Sequence, residues 1–365
     1  MNERIYRPLI PSLIGVATFA VYAYLATLHP FGTYGTETDF YLYFAPDAER
    51  ITRGEFPQST FHGPGYALLL AGAAAFTNDL FIAAKSIAVV AATAVVLLTF
   101  VLFARVFSYW TGVAASLLVA VAGRLPEYAI SATTDVVFLA FSLAALVAFT
   151  SRGSDRLRIA GAAIFTGFAY LTRYNAISLV AALLFALVVL DLFERPLKPR
   201  LALGAGFLLV FTIVIAPWLI ANARHRGSPF FNTNYLNVGK TLHPSVAAGY
   251  AGEDGLRRAS GVFHSLGDVV RYDRGAAATN YVRNVIAHVT TTFGPAVAGP
   301  VVPWLALLGA MFALFAIRWR SSLLLLVAAA THYLIIGLVH WEARFHFFMT
   351  VLFAGFAAHA LASVF

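Results

Sequence analysis

Ten long apolar runs dominate this chain, at roughly 8–28, 81–104, 107–123, 131–150, 159–172, 174–190, 201–222, 297–317, 323–340 and 345–365. A helix of about 20 apolar residues crosses the hydrocarbon core of a bilayer. The residues are 60% hydrophobic and 12% charged, against about 25% charged in an ordinary soluble domain. The expected fold is therefore all-α, a polytopic transmembrane helical bundle of about ten spans, with residues 1–365 forming a single transmembrane domain. One further run, 66–77, is too short to cross with confidence of composition alone, and 159–172 is short enough that Arg158 and Arg173 are expected to snorkel at its ends.

Basic residues settle the topology. With 66–77 lying along the surface, Arg4, Arg7, Arg105, Arg152, Arg156, Arg158, Arg195, Lys198, Arg200, Arg318 and Arg320 fall on one side, eleven in all. The short loops of the other side hold five: Arg50, Arg53, Arg124, Arg173 and Arg344. The positive-inside rule then expects ten spans with both termini cytoplasmic, and 64–77 becomes an interfacial helix opened by Pro64. The N-terminal run resembles a signal peptide, but its length and the lack of a small-x-small cleavage site read as a retained first helix. The net charge of +8 is spread between apolar runs, where it reports topology and contacts to anionic headgroups, so no nucleic-acid partner is expected. The chain has no cysteine, which excludes disulfides, thiolate metal sites and a cysteine nucleophile.

Two outer segments are long, 29–80 and 223–296. The first holds "GTYGTETDFYLYF", in which Glu37 and Asp39 stand among aromatics. Asp39 is a candidate general base, or else an interfacial acid beside an aromatic belt. In "FHGPGYALLLAG" the helix N-terminus suits an anion and His62 a ligand or proton carrier; an ordinary turn and cap explains the same residues. Lys85 and Asp135 each lie four residues into a span, at its outer end. Ionisable residues inside spans often line a site, and lysine also snorkels. Arg173 in "YLTRYNA" and Arg344 in "HWEARFH" suit bidentate phosphate contacts or interfacial anchoring. His332 and His359 read as polar partners between helices. No phosphate-binding loop, HExxH, GxSxG or dinucleotide fingerprint occurs.

Taken in order, "TETDFYLYFAPDAERITRGEF", "HGPGYALLLAG", "AAKSIAVVAATAVVLLTF", "GFAYLTRYNA", "IAPWLIANARHRGSPFFNTNY" and "EARFHFFMTVLFAGFAAHAL" resemble the GT-C class of membrane glycosyltransferases, in the branch of protein O-mannosyltransferases and bacterial aminoarabinose transferases. The likeness runs loosely over 5–365. It departs in three ways: Glu37 and Asp39 are separated by Thr38 where the family often has adjacent acids, Pro64-Gly65 stands for the usual Pro-Pro, and many relatives carry a soluble C-terminal domain.

The resemblance implies an integral protein of a bacterial or archaeal plasma membrane, acting at its outer face. The donor is a sugar on a polyprenyl phosphate, the acceptor a lipid, glycan or protein, and the anomeric carbon inverts. Asp39 becomes the base, with Glu37 as the alternative, and Asp135 matches an acid at the start of the fourth span. Lys85, Arg173, Lys240 and Arg344 become candidates for the donor phosphate. A divalent metal is implied as the one cofactor, at Asp39 with His62. Segment 223–296, or a partner, is expected to recognise the acceptor. The readings kept beside this one are a transporter or flippase of a lipid-linked saccharide, and a polymerase or ligase of such saccharides. Against the transporter stand the lack of internal repeats and the gathering of ionisable residues at helix ends.

Overall fold

The computed structural model describes residues 3–32, 35–122, 124–250, 252–315 and 319–364. Arg318 lies outside the described residues, as do the side chains of Arg4 and Arg7. Among the described residues there is no strand. The helices in chain order are α1 Glu3–Leu28, α2 Ala45–Thr52, α3 Gly65–Ala74, α4 Leu80–Val106, α5 Tyr109–Val121, α6 Leu125–Ala129, α7 Asp135–Phe149, α8 Asp155–Thr172 and α9 Ile177–Val188. They continue with α10 Leu197–Arg226, α11 Tyr235–Leu242, α12 Gly252–Ser260, α13 Leu266–Tyr272, α14 Arg274–Thr292, α15 Pro295–Ala298, α16 Val302–Leu314, α17 Trp319–Ile336 and α18 Phe347–Val364.

Each of the ten apolar runs is met by one helix: α1, α4, α5, α7, α8, α9, α10, α16, α17 and α18. By length and composition five segments among the described residues suffice to cross a membrane: Leu9–Leu28, Leu80–Val106, Leu197–Arg226, Trp319–Ile336 and Ala343–Val364. Of the others, α8 carries Asp155, Arg156 and Arg158 in its first turn, and the rest are shorter; α9 begins only after the turn at Tyr174–Ala176. Local chemistry sets these ends. The Asp79 carboxylate accepts from the Phe81 and Ile82 amides at the head of α4, Ser108 caps α5, and Gly227, with φ 77°, closes α10.

Helix α18 is central. Of its apolar window 72% is buried, against 28% for α1 and α10, which are therefore peripheral. It packs on α16 and α5, while α7 joins α4 to α8, and α8 carries α10. The short α3, Gly65–Ala74, packs on α2, α4 and α8 and is not long enough to cross. The long segment 223–296 folds as helices α11 to α14. It has its own core of Leu236, Leu242, Phe263, Val269 and their neighbours, distinct from the main core.

Candidate active site

The segment that follows α1 is pinned before it reaches Asp39. Glu37 is fully buried, and its carboxylate accepts from the Ala132 amide at 2.8 Å and the Tyr41 hydroxyl at 3.3 Å and bonds His29 Nε2 at 2.9 Å. These contacts tie the start of the loop to the turn ahead of α7. Lys85 fixes the same corner from α4: its ammonium donates to the carbonyls of Ala26 and His29, at 2.8 and 2.9 Å, where α1 ends. The chain then enters the turn Phe40–Phe44, and Asp39 at its head makes no capping bond. The Asp39 carboxylate instead meets Arg344, with Nη1 to Oδ2 at 3.3 Å.

A second passage of the loop is held against α8. A Cβ at Gly63 would lie 2.2 Å from the Leu171 carbonyl oxygen, and one at Gly65 would lie 2.9 Å from the same carbonyl. Glycine is required here by close backbone approach rather than by turn geometry. Three side chains of the later segment clamp this passage. Arg226 donates to the carbonyls of Pro57 and Ser59, Asn234 donates to that of Phe61 at 2.6 Å, and Thr233 pairs with Thr60. Asp47 accepts from the Gln58 and Ser59 amides on the other side. His62 is thereby set beside Arg173, the residue that follows α8.

Asp39, Tyr43, His62, Arg173, Asn234 and Arg344 line one cavity of about 430 Å3. Beneath it Asp135 holds Arg173, with Nη1 to Oδ1 at 2.5 Å, and the Asp135 Oδ2 is buried without a partner among the described residues. Asn175 also lines the cavity, and its buried Oδ1 has no partner among the described residues. Arg344 is oriented from behind by Glu342, which bonds its Nε. Burial alone would raise the Glu342 carboxyl, but the His340 hydrogen bond and Arg344 outweigh it and pull it down to about 2. Burial pushes His62 down from the ordinary 6.5 to about 4; Asp39 opposes this, and Arg173 and Arg344 reinforce it. The His62 ring is thus neutral near pH 7, and its Nδ1 lies 3.1 Å from the Ser59 hydroxyl.

The sequence-predicted residues therefore divide. Asp39, His62, Arg173 and Arg344 share one cavity, with Asp135 directly behind it. Glu37 takes a buried bracing position, and Lys85 and Lys240, against expectation, do not line the cavity. Each of these ammonium groups is drawn to main-chain carbonyls instead, Lys240 to that of Gly252 at 3.3 Å. Tyr43, Asn175, Asn234 and Asn237 line the cavity and went unread; "NTNYLN" is polar where a surface loop is polar anyway. Among the described residues no three of His, Asp and Glu gather as metal ligands. Asp39 and His62, the residues expected to hold a divalent metal, line the same cavity, with the Asp39 carboxylate against the Arg344 guanidinium.

Apolar helices thus carry loops that converge on acid and arginine side chains around one cavity. The family described as dolichyl-phosphate-mannose-protein mannosyltransferase matches residues 61–220. Similar solved structures include the oligosaccharyltransferase AglB from Archaeoglobus fulgidus in complex with an inhibitory peptide and a dolichol-phosphate, with TM-score 0.66, 14% identity, and coverage of 99% of this chain and 51% of that one. The Archaeoglobus fulgidus oligosaccharyltransferase complexed with Zn and sulfate aligns with TM-score 0.62 at 18% identity, over 96% and 49%. ArnT from Cupriavidus metallidurans bound to undecaprenyl phosphate aligns with TM-score 0.63 at 15% identity, over 96% and 60%. The resemblance read in the sequence is met by the family match over 61–220 and by the fold over nearly the whole chain. This chain spans about half the length of the two Archaeoglobus chains and 60% of ArnT. A comparison with curated proteins finds no significant match.

Proposed function

We propose that this chain is an inverting glycosyltransferase that moves a sugar from a polyprenyl-phosphate donor to an acceptor hydroxyl or amide at the outer face of the membrane. The observation that carries the reading is the Asp39–Arg344 contact facing a cavity also lined by Arg173. An acid to take a proton and arginines to take a phosphate are the two functions this transfer needs. The matched family and the solved relatives with dolichol-phosphate and undecaprenyl phosphate support a lipid-phosphate donor.

The donor phosphate binds Arg344 and Arg173, whose forks suit phosphate oxygens. In doing so it competes with Asp39 for Arg344 and frees the carboxylate. The acceptor heteroatom attacks the anomeric carbon from the face opposite the phosphate. The bond from that carbon to the phosphate oxygen breaks, the acceptor's proton passes to Asp39, and the electron pair leaves on the lipid phosphate. The two guanidiniums stabilise the charge that develops there. Asp135 and Glu342 act as positioning residues for Arg173 and Arg344. His62, neutral, is suited to hydrogen bonding rather than to carrying charge. Lys85, Lys240 and Glu37 stay outside the reaction, and no step is routed through a metal. The folded 223–296 segment, which shares the cavity through Asn234 and Asn237, is the proposed acceptor side.

The test is incubation of purified protein with a panel of polyprenyl-phosphate sugars and acceptors, scoring release of polyprenyl phosphate. Turnover by the wild type that Asp39→Asn abolishes is the expected result. Full activity in a folded Asp39→Asn protein would overturn the assignment of the base, and no turnover with any donor would overturn the transferase reading.

A further inference from the structure

At the end of the bundle opposite the active-site cavity lies a larger one, of about 970 Å3. Helix α8 fixes their separation. Arg173 follows its last turn and lines the first cavity, whereas Arg158 lies in its first turn and lines the second. About fifteen residues of helical rise put the two roughly 22 Å apart.

Four arginines from separate chain segments line this second cavity: Arg105 in the last turn of α4, Arg152 after α7, Arg158 on α8 and Arg320 at the head of α17. Glu194 is the one carboxylate among the lining residues described, and its ion pair with Arg320 is long, at 3.8 Å. Two of the guanidiniums bond main-chain carbonyls. Arg105 donates to the Val147 carbonyl at 2.7 Å, and Arg158 donates twice to that of Phe149, at 3.1 and 2.9 Å. These carbonyls orient the two groups. Arg158 has Asp155 as a weaker ionic neighbour, at 3.6 Å. Arg105 and Arg152 repel one another across the same space. The rest of the wall holds an apolar patch of Phe100, Val101 and Leu192 beside Thr150 and Ser321.

A cavity that sets four guanidiniums beside an apolar patch of wall matches an amphiphile with an anionic head. Arginine forks favour phosphate oxygens, and basic pockets at helix ends are where anionic lipid headgroups bind. We propose that this cavity binds a phosphate group, supplied by the headgroup of an anionic membrane phospholipid, whose first chain carbons lie along the apolar patch. The bound lipid ties the ends of α4, α8 and α17 together. The proposal is independent of the transferase reading.

The test uses the full chain, purified in a zwitterionic detergent and titrated with phosphatidylglycerol, with phosphatidylcholine, or with inorganic phosphate, and read by native mass spectrometry and thermal unfolding. The wild type is expected to bind phosphatidylglycerol at least tenfold more tightly than phosphatidylcholine. Arg152→Glu removes about tenfold or more of that preference. Arg156→Glu, an equal charge change on an exposed residue outside the lining, leaves it within twofold. Arg152→Ala repeats the comparison with a milder change should the reversal unfold the protein. If inorganic phosphate matches phosphatidylglycerol in the wild type and is lost in Arg152→Glu, the phosphate site stands and its source is soluble. Equal binding of both lipids by the wild type, or equal losses in Arg152→Glu and Arg156→Glu, overturns the proposal.

Discussion

Asp39 and Arg344 are 305 residues apart in the chain and 3.3 Å apart in the fold. Replacing either removes one half of the proposed chemistry, and the two losses should differ in kind. Asp39→Asn is expected to lower kcat by about a hundredfold or more, as loss of a general base does, with KM for the donor little changed. Arg344→Ala should raise the donor KM as well as lower kcat. Arg344→Lys should recover only part, because an ammonium lacks the guanidinium fork. Steady-state release of polyprenyl phosphate at varied donor concentration reads all three.

Glu37 separates bracing from chemistry. Its burial and its bonds to His29, Tyr41 and the Ala132 amide mean that Glu37→Ala leaves a buried amide donor unsatisfied. A destabilisation of about 2 kcal/mol or more is expected, with activity per folded molecule largely kept. Thermal unfolding in detergent measures the first, and turnover normalised to the folded fraction measures the second. A Glu37→Ala protein as inactive as Asp39→Asn yet fully stable would assign the base to Glu37 instead.

Gly63→Ala forces a methyl group against the Leu171 carbonyl, and the backbone there must give way. A loss of about 1–3 kcal/mol is expected, in the range of overpacking. Gly72→Ala in α3 meets open space and should be neutral or slightly stabilising, since alanine outranks glycine in a helix. Paired melting curves test both.

Two groups give pH dependence of known sign. Glu342 falls from 4.5 to about 2 on folding, so its contribution is fully present above pH 4.5 and fades as pH drops toward 2. His62 falls from 6.5 to about 4. Between those values the unfolded chain binds a proton that the native ring does not, so stability declines as pH drops through that window. Glu342→Gln should flatten the stability profile below pH 4.5, and His62→Gln the profile between 6.5 and 4. Unfolding midpoints collected across pH resolve the two windows.

The helices were legible because hydropathy records immersion directly, and each run predicted from composition holds one helix. The grouping of Asp39, His62, Arg173 and Arg344 was legible through topology: charge parity put all four at one end, where loops must converge. Partner choice was not. Lys85 and Arg344 look alike as cations at helix ends, yet Lys85 reaches the carbonyls that finish α1 while Arg344 faces an acid on a distant loop. That difference depends on which helix ends lie side by side, and no local pattern carries it. The segment 223–296 read as polar loop because its helices are short and its core is small; Leu236, Phe263 and Val269 are too far apart in sequence to show a period.

The cavity wall comes from three separate passages: the first loop with Asp39 and His62, the turn at Arg173 to Asn175, and the later chain with Asn234 and Arg344. The family match over 61–220 takes in His62 and the middle passage but neither Asp39 nor Arg344. The cavity is thus a seam closed by the two flanks of the sequence. A match confined to 61–220 therefore says nothing of Asp39 or Arg344, the two side chains on which the proposed chemistry depends.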